Sequence, residues 1–212
     1  MSIENIKEEN GGFDPFYDEP DRLITLFADE MRELGLEFCE CDELYGLMPE
    51  KKEIIIPVAL KYFRMAREED NDEAQNYFLG FFEHKGLDEV VTMLIESYED
   101  AHTWDATRWF IAECLYTIEM RGCVPEYIRV AKDRALGLSR QKVIALLGKI
   151  KDESAIPALV ELLDDASVRA HTITALSEFE NPDLRPHFER FKDDENPGVR
   201  KCAVEALERL VR

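Results

Sequence analysis

Apolar residues recur at steps of three and four along most of the chain, and short polar clusters interrupt them. That period keeps one face of a 3.6-residue turn apolar and so marks amphipathic helices. Leu23, Leu26, Phe27, Met31 and Leu34 predict a helix over residues 21–36, closed by Gly35. Residues 37–50 read as a polar connector containing Cys39-Glu40-Cys41. A second helix is predicted over 51–68, with Pro57 inside its apolar run. A third, over 71–84, has Ala74, Tyr77, Phe78, Phe81 and Phe82 on its buried side. After Gly86 the helices come in pairs: 87–98 with 104–119, 124–135 with 139–150, 153–163 with 167–179, and 183–191 with 197–211. The links, such as Asp164-Asp165-Ala166-Ser167 and Asp193-Asp194-Glu195-Asn196-Pro197-Gly198, carry helix-stop and N-cap chemistry. Ser167 and Asn196 are the expected acceptors of free N–H groups there. Residues 1–20 look irregular, with Phe13, Phe16 and Tyr17 among Asp14, Asp18 and Glu19. Such a stretch is either a capping strap or a docking peptide, and the cost of leaving three aromatics in water favours the strap.

The paired helices also repeat one another. Val168-Arg169 is followed by Ala175-Leu176, and Val199-Arg200 by Ala206-Leu207 at the same internal spacing. Ala145-Leu146 lies 30 residues before Ala175-Leu176, and Cys114-Leu115 lies 31 before that, with Arg108 heading the earliest copy. Fixed self-similarity of this kind predicts a solenoid, in which each helix pair buries its face against the next. Val168, Thr172, Ala175 and Phe179 share one stripe, and Arg169, Ile173 and Leu176 the adjacent one. Small Ala175 and Ala206 allow neighbouring helices to approach closely.

Three features of this pattern resemble HEAT-repeat proteins, and in particular the short repeats of bilin lyase-type HEAT proteins; the usual HEAT period is longer, roughly 40–47 residues. A proline lies early in the first helix (Pro57, Pro125, Pro157, Pro186), acids end that helix (Asp164-Asp165, Asp193-Asp194), and Val-Arg opens the second helix with Ala-Leu following. The match is strongest over 152–212, and Leu138-Ser139 departs from Val-Arg, leaving Arg140 one step out of register. The resemblance implies an all-α, right-handed superhelical solenoid of HEAT-like repeats. It divides the chain into an acidic capping segment over 1–50 and an array of about five helix pairs over 51–212. It also implies a structural, inter-repeat role for Arg108, Arg169 and Arg200 and for Asp164 and Asp193, with Arg169 and Arg200 each pairing with an acid of a neighbouring loop. The second helices would line the concave face. There Trp109, Glu113, Gln141, Ala170, His171, Thr174, Lys201 and Glu205 would meet a partner, with Trp109 as anchor or as gap filler.

Charge narrows the choice of partner. The net charge is −20, and residues 1–100 hold 27 acids against 9 bases while residues 101–212 hold 19 against 17. An acidic half of this kind keeps a protein in solution; as a field it also repels nucleic acid and anionic lipid and attracts basic proteins. The first residues are polar and acidic, no apolar run approaches membrane-spanning length, and the five cysteines are an odd number. These point to a reduced cytoplasmic protein. No phosphate-cradling glycine loop or nucleophile elbow is present; His84, His102, His171 and His187 are scattered; Cys39-Glu40-Cys41 lacks a second pair. No cofactor or metal is therefore expected. The favoured reading is a noncatalytic scaffold or adaptor that binds another protein, in its concrete form an inhibitor or immunity-type protein masking a basic partner. The alternative is an enzyme on the same scaffold. A bilin lyase-like activity fits the repeat class, and Trp104, Asp105, Arg108 and Trp109 have a passing likeness to HEAT-like DNA glycosylases.

Overall fold

The protein's structure, a computed structural model, describes residues 21–100 and 102–211. The proposed strap of Phe13, Phe16 and Tyr17 lies outside the described residues. Among these residues the secondary structure is all helical, and they fall into two compact units dividing between Tyr77 and Phe78.

In the N-terminal unit, Asp21 caps helix α1 (Arg22–Glu33) by accepting from the N–H groups of Leu23 and Ile24 at 2.7 and 3.3 Å. Leu23, Ile24, Phe27, Ala28 and Met31 are buried, whereas Leu26 and Leu34 lie off that face and stay exposed. Helix α2 (Glu43–Glu68) starts eight residues before the predicted residue 51 and converts most of the expected connector into helix. The reason is its apolar stripe. Leu44 and Met48 are buried in step with Ile55, Ala59 and Phe63, so the packed face runs straight past Pro49 and Pro57. Burial of that face outweighs the two backbone hydrogen bonds that the prolines cannot make. Helix α3 (Asp72–Leu79) follows, contains the division between the units, and tightens into a 3-10 turn at Gly80–Phe82 in the C-terminal unit. Cys39 is exposed and Cys41 half-buried in the loop before α2, and burial pushes the Cys41 thiol above its ordinary pKa, away from a reactive thiolate.

The C-terminal unit contains four helix pairs: α4 (Asp88–Glu99) and α5 (Asp105–Ile118), α6 (Val124–Lys132) and α7 (Arg140–Ile150), α8 (Ile156–Leu162) and α9 (Arg169–Ser177), α10 (Arg185–Glu189) and α11 (Pro197–Arg209). Pro125, Pro157 and Pro186 stand in the first turns of α6, α8 and α10, where no intrahelical N–H is required. Asp152 and Asn181 hold the turns before α8 and α10 by accepting from the N–H two residues on, at 2.9 Å each. Asn196 caps α11 as expected. Ser167 does not cap α9. Its own N–H and hydroxyl donate to Asp165 Oδ1 at 3.0 and 2.6 Å, and Val168 occupies the cap position.

The second helices form the tighter layer. Helix α7 packs on α5 and α9, and α9 on α11, while successive first helices touch little. Helices α7 and α9 approach closely at Gly148 on α7, where a Cβ would sit 2.6 Å from Ala175 Cα and 2.8 Å from its carbonyl oxygen. Only a glycine fits there.

Candidate functional site

The arginines that open the second helices are engaged by backbone carbonyls, most of them also by an acid. Arg140, 2% exposed, donates through Nε to Gly137 O (2.8 Å), through Nη1 to Ala131 O (3.1 Å), and through Nη2 to Asp165 Oδ2 (3.1 Å) and Ser167 Oγ (3.2 Å). It therefore ties the end of α6, its own turn and the next helix pair together. Arg169 does the same less tightly, donating to Leu163 O at 2.8 Å and reaching Asp194 Oδ2 at 3.5 Å over the Phe191 ring. In both cases the acid lies 25 residues beyond the arginine. Arg108 donates to Tyr98 O (3.0 Å) and Asp100 O (2.6 Å) and pairs with Asp105 (3.2 Å). Arg200 is held by the carbonyls of Asp194 and Glu195.

Three expectations need correction. Arg200 donates to two carbonyls of its own turn and makes no ion pair among the described residues. The acids that receive Arg140 and Arg169 are Asp165 and Asp194, the second of each pair, not Asp164 and Asp193. Asp165 and Asp194 each accept the N–H two residues on, from Ser167 and Asn196, and this turn aims the carboxylate at the start of the following helix. Asp164 is left outside, paired with Arg190 at 2.5 Å, and Asp193 meets only Lys192 at 3.8 Å. Arg140 is also not a lapse in the pattern. The residue gained in register is absorbed by the 3-10 turn Arg134–Ser139, where Gly137 takes φ 64°, ψ −143°. A side chain there would be strained.

The hydrogen bond from the Ser167 hydroxyl, then its N–H and the Arg140 guanidinium, hold the Asp165 carboxyl below the usual carboxylate range against the opposing effect of burial. Arg108 is spent on backbone carbonyls and Asp105 on Arg108.

A groove of about 670 Å³ crosses the second-helix face from α5 to α11. Small residues, Ala145, Ala170, Thr174, Ala175, Gly198 and Cys202, make up about half of its lining. Tyr116, Lys149, Lys151, His171 and Glu178 make up the rest. The lysines are positioned from within the face. Lys149 Nζ donates to Tyr116 O at 2.8 Å, pairs with Glu119 at 3.1 Å and lies 4.2 Å from the centre of the Tyr116 ring. Lys151 lies 3.7 Å from Glu178, which also pairs with Arg209. His171 is exposed at the edge, yet desolvation by the wall lowers its imidazole pKa below the ordinary value.

Of the surface residues expected to meet a partner, Ala170, His171 and Thr174 line this groove. Trp109, 38% exposed, does not, nor do Glu113, Gln141, Lys201 and Glu205. Glu113 is engaged by Lys142 at 2.7 Å, Gln141 donates to Ser167 O at 2.9 Å, and Lys201 and Glu205 face each other at 3.8 Å. Tyr116, Lys149, Lys151 and Glu178 were missed. Extending the exposed stripe one turn further would have found Lys149 and Glu178, since Gln141, Ala145 and Lys149 are spaced by four, and Ala170, Thr174 and Glu178 likewise.

Stacked helix pairs joined by arginine–acid links define a helical repeat scaffold. Residues 139–165, which take in α7, α8 and the buried Arg140–Asp165 link, match the PBS lyase HEAT-like repeat. No curated protein matches the chain. Among the described residues, no helix is long and apolar enough to cross a membrane.

Proposed function

We propose that this chain is a noncatalytic protein-binding scaffold whose second-helix groove receives a segment of another protein. The observation that carries this reading is the groove itself. It is open and lined in part by small side chains, and Lys149, Lys151 and Glu178 already have ion-pair partners, so an incoming chain meets room and apolar surface without stripping bare charges. The acidic half of the sequence, with 27 acids against 9 bases, adds a long-range preference for a basic partner, so that the scaffold works by masking a cationic protein. Free cysteines throughout the described residues suit a reducing compartment such as the cytoplasm.

The test is affinity capture from native lysate with wild type, Thr174→Trp and Glu161→Trp, each at low and high salt, read by mass spectrometry. Thr174 lines the groove, while Glu161 is exposed on the first helix α8. The expected result is one basic protein held by wild type and Glu161→Trp, released by salt, and absent from Thr174→Trp. Equal recovery on Thr174→Trp rejects the groove. Salt-indifferent capture of a neutral or acidic protein rejects the masking role.

A further inference from the structure

The link between α5 and α6 makes a single 3-10 turn, Arg121–Cys123, with Met120 at its start. The Cys123 N–H closes the turn by donating to Met120 O at 3.4 Å, and this brings two sulfurs together. The Cys123 thiol donates to Met120 Sδ at 3.6 Å, and both residues are half-buried. The groups around the pair have unmet polar capacity. Tyr127, on the first turn of α6, is 0% exposed, and its hydroxyl has no hydrogen-bond partner among the described residues. The buried Oε2 of Glu126 has none either. Besides burial, the Tyr127 hydroxyl feels Cys123, Asp88 and Glu126, so phenol, thiol and two carboxylates share one corner at the first turns of α4 and α6. Burial, then Glu126 and Asp88, push the Cys123 thiol above its ordinary pKa.

We propose that Met120 and Cys123 form a binding site for a soft monovalent metal ion, Cu(I), with the thioether and the thiolate as its two ligands. Sulfur ligands of these two kinds select Cu(I) over harder ions. Among the described residues no group of three His, Cys, Asp or Glu could hold an ion together, so the pair suits an ion content with two ligands rather than a tetrahedral zinc. Metal–thiolate bonds are about 2.3 Å long, so an ion between these sulfurs binds bent, and a linear arrangement takes about 1 Å of movement by the flexible Met120 side chain. On binding, the Cys123 proton leaves to solvent as the ion arrives. One positive charge replaces another, and no new charge is buried. The carboxylates that keep the thiol protonated also attract the cation that displaces the proton. The thiolate then gives the Tyr127 hydroxyl an acceptor, the outer support that metal ligands commonly have. Neither a histidine nor a second cysteine takes part, so the pair leaves no zinc-type spacing in the sequence.

Competition for Cu(I) against the chromogenic chelator bicinchoninate, without oxygen, tests this. The parent is the full chain carrying Cys39→Ser, Cys41→Ser and Cys202→Ser, which removes the other accessible thiols and leaves Cys123 with the buried Cys114. The parent is expected to take one Cu(I) per chain from the chelator. Adding Cys123→Ser should abolish the uptake, and adding Cys114→Ser should leave it unchanged. Tyr127→Phe should weaken the affinity about tenfold, as loss of an outer-shell partner does, and Met120→Leu, which keeps the bulk and removes the sulfur, should weaken it further. Circular dichroism checks that helix content is the same in every variant. No uptake by the parent overturns the proposal, and so does uptake that survives Cys123→Ser. Met120→Leu binding as tightly as the parent also overturns it, because the ion then sits on a lone thiolate.

Discussion

Arg140→Met is expected to lower the stability of the C-terminal unit by about 3–5 kcal/mol, the range for removing one partner of a buried ion pair. Methionine matches the length of the stem but leaves the carbonyls of Ala131 and Gly137 without their donor, and leaves Asp165 Oδ2 with the 3.4 Å contact from Arg134 in place of the buried guanidinium. Arg169→Met should cost no more than about 1–2 kcal/mol, since that side chain is 22% exposed and its carboxylate contact is long. Replacing both charges, Arg140→Met with Asp165→Leu, should cost less than the sum of the two single changes. Urea unfolding followed by circular dichroism measures all of these. Near-equal losses for Arg140→Met and Arg169→Met would mean that burial is not what makes Arg140 costly to replace. Acid should act on the same link. The Asp165 carboxyl is held below its usual range, so its contribution is present above the unfolded-state pKa of about 3.9 and is lost as pH falls through the lower, folded value. Wild type should therefore shed stability below about pH 4, and Asp165→Asn should flatten that part of the profile.

Gly148→Ala is the second large effect, and its sign runs against helix propensity. Alanine inside a helix is ordinarily better than glycine by roughly 0.8–1 kcal/mol. At Gly148 the new methyl would meet backbone atoms of Ala175 at 2.6 and 2.8 Å, and a backbone cannot swing aside as a flexible side chain does. Helices α7 and α9 would have to separate, and overpacking of this kind costs about 1–3 kcal/mol, with valine costing more than alanine. Gly46, inside α2, is the control: a methyl added there would meet nothing within 4 Å, and Gly46→Ala should stabilise by about 0.5–1 kcal/mol. Thermal unfolding should thus move in opposite directions for the two substitutions. A stabilised Gly148→Ala would mean that the two helices can part without penalty.

The parts of this protein that are readable from sequence are those that repeat. Ala175 and Leu176 recur because every second helix packs the same way, so the pairs, their order and the arginines at their starts follow from spacing. Features that occur once are harder to read. Gly148 looks like a poor helix residue until Ala175 is placed opposite it. Leu44 and Met48 belong to α2, yet two prolines and a polar surround hide a stripe whose value lies only in what it packs against. The choice between Asp164 and Asp165 depends on which carboxylate closes a turn on the N–H two residues ahead, and composition alone does not distinguish them. The groove is half legible for a similar reason. His171 and Thr174 fall on the exposed stripe, but Tyr116 joins them only because helices a repeat apart lie side by side.

The polar links between successive helix pairs also bear on how the chain folds. They join residues close in sequence: 25 apart for Arg140 and Asp165, 29 for Lys142 and Glu113, and 41 for the buried Tyr98 and Ser139 hydroxyls. Each asks the chain to close a loop of about one repeat, and loop-closure entropy grows only with the logarithm of length. Such a topology has a low contact order and a modest search cost. Any two adjacent pairs can therefore nucleate the C-terminal unit, and growth from that seed proceeds one neighbour at a time in either direction.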